Sequence, residues 1–296
     1  MLWQGYSFFI LLRSSLSRRP SALAHLHGTR CFLSPSTPTV ITVALALASL
    51  ICQPVYLEAQ FDMVVFEKRP PQARSRQELN AVLDIVQTTD PQKTLSLCTE
   101  FQKQFPTSEF VGHVYRMEMH AYGGLNDTQK VIAAGEKTLE VNSHDVDALL
   151  TVANAIPNGV GSLTTESLGL LDKAESYARR ALQEIDGLKA TRGVTLDKWR
   201  KLTGRMRSSA QEALGFAAFK RGNYAASVAE LEKAIRFDPE AGGALFFRLG
   251  VAYLYDGKLL EAQVALERSS TLGPDYIRAK AQEQLAKIGK QKDVSK

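Results

Sequence analysis

From residue 77 to residue 289, apolar side chains recur every three to four positions and charged ones fill the intervals. That period lays the apolar set along one face of an α-helix. It predicts helices over 77–87, 92–105, 109–122, 127–141, 146–156, 165–186, 195–221, 224–237, 242–256, 259–272 and 275–289. Local punctuation agrees: Asp90-Pro91 offers an N-cap followed by proline at the first helical position, and Asn223 can cap a helix starting at Tyr224. In "PDYIRAKAQEQLAKIGKQ", Ile277, Ala281, Leu285 and Ile288 point inward and charges point outward. No stretch sustains the two-residue alternation of a strand, so the expected fold class is all-α.

Two of the predicted helical pairs are written alike. "LGFAAFKRGNYAASVAELEKAIRFDP", Leu214 to Pro239, and "LGVAYLYDGKLLEAQVALERSSTLGP", Leu249 to Pro274, share a length and lie 35 residues apart. Each divides around a glycine turn, Gly222-Asn223 or Gly257-Lys258, and each stops at a proline. At these residues the chain resembles the tetratricopeptide repeat, a helical hairpin of about 34 residues. In the first unit, 208–241, the pattern positions hold Leu214, Gly215, Ala218, Gly222, Tyr224, Ser227, Leu231, Ala234 and Pro239. In the second, 243–276, they hold Leu249, Gly250, Tyr253, Gly257, Leu259, Ala262, Leu266, Ser269 and Pro274. The small residues Gly215, Gly250, Ser227 and Ala262 let helices approach closely, and Leu, Tyr and Ala fill the gaps between them.

One hairpin cannot bury its own apolar face, so the resemblance implies neighbours stacked on both sides. "TQKVIAAGEKTLEVNSHDVDALLTVANAI", Thr128 to Ile156, resembles the second helix of one unit running into the first of the next, with Ser143 where proline is usual. "LLDKAESYARRALQEID", Leu170 to Asp186, resembles another second helix, set apart from its partner by an insertion near 157–167, "PNGVGSLTTES". The expected organisation is a targeting segment at 1–59, a linker at 60–76, degenerate helical repeats over 77–207, two clear units over 208–276, and a capping helix and tail at 277–296. Its architecture, by the resemblance, is a right-handed α-solenoid of stacked hairpins closed by that C-terminal helix.

The first segment reads as an address. No acidic residue occurs from Met1 to Leu57, and the apolar run Thr39 to Cys52 is shorter than the ~20 residues of a membrane-spanning helix. Export to the bacterial periplasm or cell envelope is expected, with cleavage after Ala59 or retention as an anchor. The Arg- and Ser-rich stretch before the run also suits a mitochondrial presequence, the alternative. The net charge of +5 is concentrated here: residues 1–59 carry four arginines against Glu58, leaving 32 basic and 30 acidic residues beyond. Overall charge therefore does not imply a nucleic-acid partner. Of three cysteines only Cys98 lies in the helical part, where "TLSLCTEFQKQF" places it inward as a small buried thiol, and no disulfide framework is available.

No catalytic motif emerges. Gly159 and Gly161 in "NGVGS" lack the Gly-Lys-Ser/Thr of a phosphate loop, and His113 and His120 are seven residues apart, too widely spaced for the usual helical metal pair. A non-enzyme without cofactor, metal or small-molecule substrate is expected, with a protein or peptide as partner. In the family that the repeats resemble, the first helices line a concave face; here that implies Phe216, Phe219, Lys220, Phe247, Arg248, Val251 and Tyr255 as partner-binding residues, some of which can be core if the C-terminal helix folds over them. The Lys/Asn clamp by which some members hold C-terminal carboxylates is not reproduced: Glu212, Phe216, Phe247 and Val251 stand at the comparable places. The alternative site is "LKATRGVTLDKWRKLTGRMRSSA", Leu188 to Ala210, where Lys189, Arg192, Lys198, Arg200, Lys201, Arg205 and Arg207 face Asp197 alone. Such a segment either meets an acidic protein, lipid or nucleic acid or is a solvated face whose apolar side holds Trp199, Leu202 and Met206.

Overall fold

The structure, a computed structural model, describes residues 71–190 and 193–294, with side chains through Gly289. The targeting segment, residues 60–70 of the expected linker, Arg192 and the last two residues lie outside the described residues. Eleven helices and no strand occur among the described residues. They are α1 (Arg76–Gln87), α2 (Pro91–Gln104), α3 (Val111–Gly124), α4 (Thr128–Val141), α5 (Val146–Gly159), α6 (Thr165–Gly187), α7 (Leu196–Lys220), α8 (Tyr224–Phe237), α9 (Gly243–Tyr255), α10 (Leu259–Leu272) and α11 (Asp275–Val294). Successive helices pair as hairpins, and each hairpin packs on the next. None of the described helices is long and apolar enough to cross a membrane.

The helix starts follow from their caps. Asp90 accepts from the Lys93 amide with Pro91 at the first position of α2, and Asn223 accepts from the Ala226 amide at the start of α8. Asp127, Asp145 and Thr195 cap α4, α5 and α7 in the same manner, and Thr164 and Ser167 cap α6 reciprocally.

The hairpin turns are built to one plan. Gly222 and Gly257 take φ of 77° and 78°, and Asn126 stands at the corresponding place between α3 and α4 with φ of 59°. Left-handed backbone is open to glycine at no cost and to asparagine at a small one. After each of these residues the next amide returns to the first helix: Asp127 to the Tyr122 carbonyl, Asn223 to Ala218 and Lys258 to Tyr253, at 3.0, 3.0 and 2.9 Å. The α3–α4 hairpin is therefore a third copy of the turn, without the sequence match.

Several boundaries differ from expectation. Arg76 already belongs to α1, and α3 starts at Val111, so Glu109 precedes the helix and accepts from the Gln72 amide at 3.0 Å. The helix expected to stop at Ile156 continues through Pro157 to Gly159, so only residues 160–164 separate α5 from α6. Proline is tolerated there because it removes one helical amide near the end of a helix otherwise buried along Val146, Leu149, Val152, Ala153 and Ile156.

The core runs between the hairpins. Met119, Val131, Leu149, Ala181 and Ile185 form one part of it, and Val228, Leu231, Leu245 and Leu249 another. Ile277, Ala281 and Ile288 of α11 are buried, and Ala281 and Ile288, with the half-buried Leu285, pack with Ala262 and Leu266 of the last hairpin. A terminal helix with one apolar and one charged face closes the stack as the pattern predicted.

Candidate protein-interaction face

The first helices of three consecutive hairpins, α5, α7 and α9, carry a connected set of polar and aromatic side chains. On α7, Glu212, Phe216 and Lys220 recur at every fourth position, which places them in one row. Arg248 of α9 reaches that row: its Nη1 lies 3.0 Å from Glu212 Oε1, and its guanidinium stands 4.4 Å from the centre of the Phe216 ring. Arg248 Nη2 also donates to Asn158 Oδ1 of α5 at 3.4 Å. From α7, Lys220 Nζ lies 5.4 Å from the Phe216 ring centre and donates to the Val160 carbonyl at the end of α5 at 2.6 Å. Phe216 thus sits between two cations. Burial lowers the Lys220 pKa, and the charge of Arg248 adds to that effect.

Further along α5, Asn154 Nδ2 donates to the Ser209 hydroxyl of α7 at 3.1 Å and to the Leu150 carbonyl at 2.9 Å. Toward the other end, Phe216 stacks on Phe219 at 6.3 Å, and Phe219 meets Tyr255 edge-on at 5.3 Å and Tyr224 at 5.4 Å. Tyr255 is 60% exposed. The seven expected residues do not share one environment. Phe216, Phe219, Lys220, Arg248 and Tyr255 lie together, and Val251 is half-buried on α9. Phe247 instead packs against the cluster that Ala281 and Ile288 of α11 form with Ala262 and Leu266, so it belongs to the core beneath the terminal helix.

Glu212 as a charge partner, Asn154, Asn158, Ser209 and the Val160 carbonyl were not anticipated. The four-residue spacings of Glu212–Phe216–Lys220 and Asn154–Asn158 were the readable signal. The link from α5 across α7 to α9 has no local signature, because it joins residues 90 apart.

The basic segment of α7 is largely committed within the molecule. Lys201 Nζ lies 3.0 Å from Glu240, Arg205 lies 3.9 Å from Asp238 and 3.6 Å from Glu240, and Arg207 lies 2.9 Å from Asp186. Arg200 is exposed. Trp199, Leu202 and Met206 are half-buried, as for a helix with one apolar side.

A second polar link joins α3 to α5. Arg116 Nη1 lies 3.2 Å from Asp145, and His120 Nε2 lies 2.6 Å from Asp147. Arg116 also donates to His113 Nδ1 at 2.9 Å, so that nitrogen carries no proton. Burial pushes the His113 pKa down to about 4, helped by Arg116. Burial pushes the Asp145 carboxyl up, against the pull of Arg116. Among the described residues no group of three or more His, Cys, Asp or Glu side chains could hold a metal ion.

The family described as "Tetratricopeptide repeat" matches residues 208–240. Among solved structures, the chain is similar to a thermophilic tetratricopeptide-repeat protein of Thermus thermophilus, with 15% identity and a TM-score of 0.51 over 71% of this chain and 99% of that one. MamA from Desulfovibrio magneticus aligns with 14% identity and a TM-score of 0.43 over 68% and 97% of the two chains. YrrB, a tetratricopeptide-repeat protein with an unusual peptide-binding site, aligns with 14% identity and a TM-score of 0.24 over 62% and 97%. No curated protein matches the chain. Residues 208–240 are a tetratricopeptide repeat, and the stacked hairpins around them have the tetratricopeptide-repeat fold.

Proposed function

We propose that this chain is a non-catalytic adaptor that binds a protein or peptide on the face formed by α5, α7 and α9. The observation that carries the reading is the joining of three successive first helices by Arg248, Glu212, Phe216, Lys220 and Asn158, beside the exposed ring of Tyr255. Aromatic rings and arginine on a rigid helical surface are the side chains that anchor protein interfaces. The fold supplies the class of function and does not name the partner. The proposed setting is the periplasm or cell envelope, on the strength of the acid-free leader and its apolar run; mitochondrial import is the alternative that the same leader supports.

The test is cross-linked capture from the native host by the full chain, against the same chain carrying Phe216→Ala and Tyr255→Ala. A protein held by the parent and released by the variant, at unchanged helicity, is the expected result. Equal capture by both would move the binding surface away from this face. Turnover of any substrate by the pure protein would remove the word adaptor.

The second reading, an anionic-surface binder acting through Arg200, Lys201, Arg205 and Arg207, is the weaker one. Three of those four cations already face Asp186, Asp238 or Glu240. Binding to acidic vesicles that falls steeply with salt and is lost with Arg200→Ala and Arg205→Ala would revive it.

A further inference from the structure

Lys220 is a half-buried ammonium with no carboxylate beside it. Its Nζ donates to the Val160 carbonyl, which uses one of three protons, and no other hydrogen-bond acceptor for it occurs among the described residues. The charge that acts on it is that of Arg248, a second cation, and that action is repulsive. Arg248 is matched by Glu212 alone, so the row holds two cations and one carboxylate around a single aromatic ring. A ring face attracts cations but does not neutralise them. Excess positive charge kept partly from water is stabilised by an incoming anion.

The surroundings narrow the anion. One unit of excess charge is little for a polyanion, whose binding draws on many cations at once. Phe219 and the exposed Tyr255 extend from Phe216 along α7 in one direction, and Ser209 with Asn154 extends in the other. A chain can therefore run past the charges on both sides, with apolar contact at one end and the Ser209 hydroxyl and Asn154 Oδ1 at the other.

We propose that Lys220 and Arg248 together hold a side-chain carboxylate of an acidic, extended partner segment above Phe216, with a neighbouring apolar side chain of that segment against Phe219 and Tyr255. The proposal rests on the protein-binding reading of this face and gives the partner its chemistry. Glu212 is then an internal competitor: in the unbound protein it holds Arg248, and the incoming carboxylate shares that cation.

The experiment titrates the full chain calorimetrically with an eight-residue peptide of alternating Glu and Leu, acetylated and amidated. A second peptide has Gln for every Glu, and a third is the Gln peptide with a free C-terminal carboxylate. The Glu peptide is expected to bind at least about tenfold tighter than the Gln peptide, the scale of one charge-assisted contact. Lys220→Met should remove most of that difference, weakening the Glu peptide far more than the Gln peptide. Glu212→Gln, by freeing Arg248, should tighten the Glu peptide about threefold or more. A gain of this kind cannot come from damage to the fold. Equal affinity for the Glu and Gln peptides would overturn the carboxylate seat and leave the protein-binding reading standing. Tight binding of the third peptide alone would overturn it in favour of a chain terminus. No binding of any peptide at about 1 mM would overturn it too, and partner capture would decide the broader reading separately.

Discussion

Met119 and Gly135 make in reverse the contact that Gly215 and Leu231 make in a later hairpin. A Cβ added to Gly135 would lie 3.0 Å from Met119 Sδ, and closer still, 2.3 Å, to Val152 Cγ2 of the next hairpin; one added to Gly215 would lie 2.7 Å from Leu231 Cγ. Gly250 repeats the second arrangement at 2.7 Å from Leu266 Cγ. In these three hairpins one helix offers bare backbone and the other brings a long side chain to it, and the α3–α4 hairpin exchanges the two.

This exchange gives the first prediction. Gly250→Ala forces a methyl against Leu266, which is fully buried and also brings its backbone nitrogen within 3.3 Å, so the variant should lose about 1–3 kcal/mol in urea unfolding. Gly250→Met should cost more, and adding Leu266→Gly should restore about 1 kcal/mol or more of that loss, reproducing the Met119–Gly135 order. Strict additivity of the two changes would show that the helices do not meet there.

The turn glycines should respond differently. Nothing lies within 4 Å of a Cβ placed on Gly257, so its cost is backbone strain alone at φ of 78°. Gly257→Ala is expected to cost about 1–2 kcal/mol and Gly257→Asn clearly less, because Asn126 already holds that conformation in the α3–α4 turn. Equal losses for Ala and Asn would contradict the shared turn geometry.

His113 makes stability depend on pH. Its folded pKa of about 4 lies below the ordinary value of 6.5, so the unfolded chain binds the proton more readily between those values. The neutral ring's contribution is complete above pH 6.5 and is lost as pH falls toward 4, on the order of 3 kcal/mol. Unfolding of the parent and of His113→Gln at pH 7 and pH 4.5 isolates this share. The parent should lose more than the variant, and parallel losses would mean that the ring titrates normally.

Cys98 should be inert while the chain is folded. Its side chain is fully buried, its Sγ lies 3.7 Å from the Val114 carbonyl, and burial, with Glu118 adding, pushes the thiol up to about 12. In the chain with Cys31→Ser and Cys52→Ser, iodoacetamide at pH 8 should label nothing until urea is added, as read by mass spectrometry. Rapid labelling of the native protein would place the thiol at the surface.

The legible parts of the fold were those written locally. Caps such as Asp90 and Asn223, turn glycines, and the inward set Ile277, Ala281, Leu285 and Ile288 all act within a few residues of themselves. The α3–α4 hairpin escaped full recognition because Met119, Gly135 and Asn126 satisfy the same geometry with different residues. The end of α5 was misread for a related reason: Pro157 is a breaker by composition, yet the burial of Val152, Ala153 and Ile156 carries the helix past it. In the candidate face, the aromatic and cationic positions of α7 and α9 could be read from the repeat register. Their partners could not, since Glu212 and Asn158 meet Arg248 only after the hairpins have stacked. Likewise the charge row of α7 looked free in sequence and is occupied in space by Asp186, Asp238 and Glu240.

The bond from Arg248 to Asn158 spans 90 residues, and that from Lys220 to Val160 spans 60, whereas the turn hydrogen bonds close over a few. Closing a long loop is entropically slower than closing a short one, so each hairpin should form early and on its own, and the row of cations should be completed only when the third first-helix arrives. Substitutions at Arg248 or Asn158 should then leave the refolding rate nearly unchanged and speed unfolding, which makes the binding face the last part of the molecule to assemble and the first to come apart.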